Sequence, residues 1–230
     1  MWLYSILLIC SISLPFLFSF DKKLQFYKKW KFILPSILFV AVFYVIGDIY
    51  LTRTGVWGFN SQYHLNILIA NLPMEEWLFF IFIPYACLFL HESMVLYFPQ
   101  LKLNQALANR IVVFLILMAA VIILFNHHRF YTVYIFTLVL IALLLSLFDK
   151  TNVISSYFVS FLLILIPFII VNAILTGSFI HQEVVWYNDK ENMGIRFLTI
   201  PIEDFVYAFS MILYNLLLIA RVKDIIKATR

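Results

Sequence analysis

The chain has 230 residues, of which 64% are hydrophobic and 12% charged, and its net charge is +4. Soluble domains run near half apolar and a quarter charged, so this composition excludes an ordinary water-soluble globule and suits a protein whose solvent is lipid. The basic excess sits in short runs beside apolar segments, which reads as membrane topology rather than a nucleic-acid surface.

Crossing a bilayer takes about twenty apolar residues in a helix, and seven segments qualify. The first, roughly 2–20, lacks a basic stretch before its apolar run and a small-residue cleavage site, so it reads as a retained helix rather than a signal peptide. It holds Cys10. The other cysteine, Cys87, is also in an apolar stretch, so neither a disulfide nor a cysteine-based metal site is available. The second segment, roughly 32–51, carries Asp48 near its end. The third, roughly 73–98, opens on Pro73-Met-Glu75-Glu76 and closes near His91 and Glu92. Those last two look like the start of a zincin motif but lack its second histidine, and they read as interfacial. The fourth, roughly 109–125, is expected to be the shortest. A tight turn with His127 and His128 joins it to the fifth, roughly 130–148, and with no clear third ligand there no metal site is expected. The sixth, roughly 153–176, carries Asn172, and the seventh, roughly 198–220, contains Pro201-Ile-Glu203-Asp204. The fold class is therefore an all-α integral membrane protein of about seven transmembrane helices.

The chain also repeats itself. Phe43-Tyr-Val-Ile-Gly-Asp48-Ile-Tyr-Leu-Thr52 aligns with Pro167-Phe-Ile-Ile-Val-Asn172-Ala-Ile-Leu-Thr176, and Val56-Trp57 with Val185-Trp186. The two Pro-x-acid-acid motifs follow in the same order. Three domains are expected: a first repeat over 1–98, a connector with the fourth helix over 99–129, and a second repeat over 130–230. One connecting helix returns the chain to its starting side, so the repeats are parallel about an axis along the membrane normal. Twelve Lys and Arg residues (Lys22, Lys23, Lys28, Lys29, Lys31, Lys102, Arg110, Lys150, Arg221, Lys223, Lys227 and Arg230) fall on one side of this topology and four (Arg53, Arg129, Lys190 and Arg196) on the other. The positive-inside bias puts the N-terminus outside and the C-terminus in the cytoplasm.

Six acids lie within or at the ends of the segments: Asp48, Glu75, Glu76, Glu92, Glu203 and Asp204. Each costs about 2.5–3.5 kcal/mol at a helix centre on insertion scales. A lone Pro-x-Glu-Glu is usually a helix start, since proline suits the first position and acids suit the first turn. Here the pair recurs in register within a duplication, and an aromatic follows four residues later both times, Phe79 after Glu75 and Tyr207 after Glu203. Crowded carboxyls in a low dielectric cannot all ionise, so a general acid and a general base can share one pocket. Nearby rings, including Trp77, Phe79, Phe205 and Tyr207, can stabilise a cation. Asp48 and Asn172 are second-tier candidates at the same depth, and Trp57 and Trp186 are belt residues or an outer lid.

Leu72-Pro-Met-Glu-Glu-Trp-Leu-Phe-Phe80 and Gly194-Ile-Arg-Phe-Leu-Thr-Ile-Pro-Ile-Glu-Asp-Phe-Val-Tyr207 resemble the paired motifs of the membrane-integral lycopene cyclases, and the likeness is to the fused two-copy bacterial form. The resemblance implies a redox-neutral reaction without a cofactor. A proton adds to the terminal double bond of a ψ end group, the ring closes on the cation, and proton loss leaves a β-ionone ring, giving β-carotene by way of γ-carotene. It carries catalytic roles onto Glu75, Glu76, Glu203 and Asp204. Arg196, in the approach to the second motif, is expected to pair with Glu203 or Asp204. Lycopene or other linear carotenoids are the implied substrates and the bilayer the medium, in the inner membrane. Self-association or assembly with other carotenoid enzymes is compatible with this reading. No Gly-x-Gly-x-x-Gly marks a flavin or nicotinamide site. The rivals are a proton-coupled transporter, for which Pro84 and Pro167 would interrupt helices at a binding site, and a non-catalytic subunit of a carotenoid-synthesising assembly.

Overall fold

A computed structural model describes residues 2–228. Arg230, one of the cations counted above, lies outside the described residues, as does the side chain of Lys227. The helices are α1 (Leu3–Phe18), α2 (Trp30–Arg53), α3 (Met74–Tyr97), α4 (Gln105–Phe125), α5 (Phe130–Leu147), α6 (Val153–Leu175) and α7 (Ile202–Ala228). Six of them, α2 to α7, are long and apolar enough to cross a membrane. Helix α1 has 16 residues, or about 24 Å at 1.5 Å per residue, and is shorter than the apolar run that contains it. Helix α4 is not the shortest. The Asn104 side chain accepts from the Ala106 N–H at 2.8 Å and caps it, so the helix begins before its apolar core and reaches 21 residues. Pro84 and Pro167 lie inside α3 and α6, and both helices run on past them. The interruption that would have favoured a transporter site is not present in these helices.

The packing is duplicated. Helix α1 lies along α3 as α5 lies along α7, while α2 crosses to α7 and α6 crosses to α3. Exchanging the copies maps each contact onto the other, which defines a pseudo-two-fold axis. Buried positions recur in register along α2 and α6: Ile33 with Tyr157, Ser36 with Ser160, Val40 with Ile164 and Leu51 with Leu175. The outward faces of α2, α4 and α6 are apolar and exposed, as at Phe39, Phe43, Phe114, Leu117, Leu162 and Ile166. In a bilayer these faces meet lipid.

Six short strands cluster at the end of the bundle where α3 and α7 begin. Strands β1 (Trp57–Phe59) and β4 (Val185–Tyr187) pair antiparallel, Trp57 opposite Tyr187 and Gly58 opposite Trp186. Because Trp57 and Trp186 are repeat mates, these two pairings are mates of each other, and the axis passes between them. A Cβ at Gly58 would stand 2.3 Å from the Trp186 ring, so the close approach requires glycine there. Strands β2 (Leu68–Ile69) and β3 (Leu72–Pro73) form one hairpin, and β5 (Arg196–Phe197) and β6 (Ile200–Pro201) form its copy. Two residues connect each. Ala70 and Asn71 have φ of 53° and 72°, the geometry of a type I′ turn, and in the copy Leu198 has φ of 55°. A left-handed non-glycine residue costs about 1–3 kcal/mol. That both copies retain it at the same point marks these turns as more than connectors.

Candidate active site

Each hairpin ends on a proline and delivers the chain into the first turn of α3 or α7, where the acids stand. All four acids are buried. The first acid of each pair ties the fold to its own loop. Glu75 Oε1 accepts from Ser5 Oγ and from the Leu65 N–H, both at 2.8 Å. Glu203 Oε1 accepts from Thr132 Oγ1 at 2.7 Å and from the Met193 N–H at 2.8 Å. The other oxygen of each, Oε2, is buried without a partner among the described residues. The loop beside each is built alike: His64 Nδ1 accepts from the Asn66 N–H at 3.0 Å, and Asn192 Oδ1 from the Gly194 N–H at 2.7 Å. Burial pushes the His64 imidazole below its ordinary value against the opposing pull of Glu75, which suits a neutral ring that accepts a hydrogen bond.

The second acid of each pair faces inward. Glu76 Oε2 accepts from the Tyr4 hydroxyl. Asp204 accepts from Tyr131 at 2.6 Å on Oδ1 and from Tyr187 at 2.8 Å on Oδ2. Glu76 and Asp204 line the same cavity, about 60 Å³, with the rings of Tyr4, Trp57, Phe79, Tyr131, Tyr187 and Tyr207 in its wall. Burial, with Asp204 next in effect, pushes the Tyr187 phenol well above its ordinary value, so it remains a hydrogen-bond donor. The two copies thus contribute one acid each to a shared chamber rich in aromatic rings. It can protonate a bound apolar group, steady a cation against aromatic faces and take a proton back.

The other expected residues divide. Phe79 and Tyr207 reach the cavity, and the Tyr207 hydroxyl is buried with no hydrogen-bond partner among the described residues. Trp77 instead donates from its indole to the Ile69 carbonyl at 3.2 Å, and Phe205 packs against Phe168 and Phe197. Asn172 lines the cavity, with its amide donating to the Phe168 carbonyl at 3.1 Å. Asp48 does not reach the wall. It is 1% exposed, neither of its oxygens has a hydrogen-bond partner among the described residues, and it lies within electrostatic range of Glu76. Trp57 is buried in the wall, whereas Trp186 is 39% exposed over Gly58.

The expected pairing of Arg196 with Glu203 or Asp204 is corrected. Arg196 Nη2 binds Asp189 Oδ1 at 2.5 Å, and its Nη1 donates to the Thr199 carbonyl at 2.8 Å. The β5–β6 hairpin turns the guanidinium toward the loop before it, away from the start of α7. The guanidinium carbon lies 5.7 Å from the centroid of the Tyr187 ring, whose hydroxyl donates to Asp204 Oδ2. His91 and Glu92 sit toward the opposite end of α3, the first bonded to Ser160 and the second to Lys29 and Lys223. Motif reading missed Tyr4, Ser5, Tyr131, Thr132 and Tyr187. A signal was present: Tyr4-Ser5 and Tyr131-Thr132 are matching pairs at the starts of α1 and α5.

A family model described as lycopene cyclase matches residues 1–94 and 128–222, leaving out α4 and the turns around it. No curated protein and no solved structure matches the chain. Two matched stretches within one duplicated helical bundle cover most of the chain, which belongs to the lycopene cyclase family.

Proposed function

We propose that the shared cavity closes the ψ end groups of lycopene to β-ionone rings, giving β-carotene by way of γ-carotene, with Glu76 as the acid and Asp204 as the base. The observation that carries this reading is that one buried acid from each copy faces a single aromatic cavity. Glu76 Oε2 takes a phenol, and its other oxygen has no protein donor among the described residues, leaving it free to carry a proton into the cavity. Asp204 accepts on both oxygens, as an ionised carboxylate does. The proton adds to the terminal alkene, and the neighbouring double bond attacks the tertiary cation to form the ring bond. A proton then leaves the ring carbon that joins the polyene, and its electron pair restores a double bond. Atoms and electrons balance without a redox partner. Tyr207, Phe79 and Trp57 present aromatic faces to the cation, each worth about 0.5–2 kcal/mol.

Glu75 and Glu203 fix the loops and helix starts on which the cavity pair stands, and Asp48 is a further buried carboxyl within electrostatic range of Glu76. Tyr187→Phe is expected to slow cyclisation about fivefold, the loss of one hydrogen bond worth about 1 kcal/mol, measured by pigment chromatography at matched protein levels. The primary test is expression in lycopene-accumulating cells. Conversion to β-carotene supports the reading, unconverted lycopene with full-length protein in the membrane sinks it, and an ε-ring product overturns the ring assignment alone.

The hairpin end faces outward in this reading, because Arg53, Arg129, Lys190 and Arg196 oppose the larger cation cluster at the other end. In a Cys10→Ala, Cys87→Ala background, Lys190→Cys should react with an impermeant thiol reagent on intact cells. Lys150→Cys should react only after permeabilisation. The reverse pattern inverts the topology.

A further inference from the structure

A strictly two-fold bundle would carry either one symmetric cavity on its axis or two equivalent cavities beside it. The wall is instead lopsided. Phe168, Asn172 and Leu175 of α6 and its C-cap Thr176 line it, while none of their mates on α2 does. The difference centres on one pair of repeat mates. Ala208 of α7 lines the cavity, and its counterpart on α3 is Phe80, which is 1% exposed and outside the wall. The Phe80 ring centroid lies 6.4 Å from those of both Tyr44 and Tyr207, which are themselves 4.9 Å apart. The Tyr44 hydroxyl is held by Ser210 at 2.8 Å. Three rings fill on the α2 side the space that a methyl group leaves open on the α6 side.

Resting on the cyclase reading above, we infer that this duplicated chain holds a single reaction cavity, on the α6 side of its axis, and that both ends of the carotenoid use it in turn, with Ala208 keeping it open and Phe80 closing its twin. The acids of both copies serve that one cavity, so duplication has supplied two halves of one site rather than two sites. A linear carotenoid presents one end at a time. After the first ring forms, the product withdraws and returns with its other end. The monocyclic product is therefore a free intermediate, and both ring closures depend on the same residues.

The test is enlargement at position 208 against reduction at position 80. Wild type, Ala208→Val, Ala208→Leu, Ala208→Phe and Phe80→Leu are purified, matched for folded protein by thermal melting and placed in lycopene-loaded vesicles. Ring formation is followed by chromatography. Both rings should slow together as the side chain at 208 grows, by about a hundredfold at phenylalanine, the scale expected when a reacting group is displaced by an ångström or more. Phe80→Leu should retain the wild-type rate within about twofold, the scatter of a conservative core change. Should Ala208→Phe not fold, the valine and leucine members carry the trend. Retention of about half the rate across the 208 series would show two equal cavities, and arrest at the monocyclic product would show one cavity for each end. Either result overturns the inference. A wild-type protein that forms no ring at all fails the cyclase reading itself.

Discussion

Glu76→Gln and Asp204→Asn are each expected to lower cyclisation by about 10²–10⁴-fold, the range for removal of a general acid or base. Glutamine at 76 preserves shape and an acceptor for the Tyr4 hydroxyl, so the fold should persist, but an amide cannot deliver a proton to an alkene. Asparagine at 204 leaves one carbonyl oxygen where two phenols, Tyr131 and Tyr187, now donate. It therefore loses the base and turns an amide N–H₂ toward one of those donors. The check is pigment chromatography at equal membrane protein, with thermal melting beside it. Melting near wild type with lycopene left unconverted fits the assigned roles. Near-normal conversion in both variants removes Glu76 and Asp204 from the chemistry.

Glu75→Ala and Glu203→Ala are expected to act chiefly on stability. Each wild-type carboxylate satisfies two donors, the half-buried Ser5 and Leu65 in one copy, the buried Thr132 and half-buried Met193 in the other. Orphaning such a donor costs up to about 1–3 kcal/mol, less where water reaches it, so each variant should lose at least about 1 kcal/mol. Melting in detergent should fall clearly, and activity should fall with it because the loop carries the start of the catalytic helix. The isosteric Glu75→Gln and Glu203→Gln keep an oxygen for those donors and should melt near wild type. Their cyclisation is expected to fall at least about tenfold if the charge of these carboxylates serves the reaction. Unchanged activity in both amide variants would restrict Glu75 and Glu203 to holding the loops.

Much of this architecture was legible in the sequence because membrane insertion leaves a strong composition signal: every spanning helix must present apolar side chains to lipid. The duplication was legible for a related reason. Acids at a helix start are costly in an apolar chain, so two Pro-x-acid-acid motifs in register stand out against their background. The six short strands were not legible. Ala-Asn and Leu-Thr are not the residue pairs that announce two-residue hairpins, and pairing of the flanking strands closes the turns with Ala70 and Leu198 in the left-handed region. The phenols of Tyr4, Tyr131 and Tyr187 were hidden among 13 tyrosines, since only packing decides which of them meets a carboxylate.

The sequence by itself determined the class of solvent, the helix count, the parallel repeat and the four paired acids, because each depends on local composition and order along the chain. The tertiary structure alone decided that the two acids within each pair differ: successive residues on a helix point about 100° apart, so one meets its loop and the next meets the cavity. It alone turned Arg196 toward Asp189 and gave the cavity to one side of the axis, because a carboxyl's partners and the room around a ring depend on residues distant in the chain.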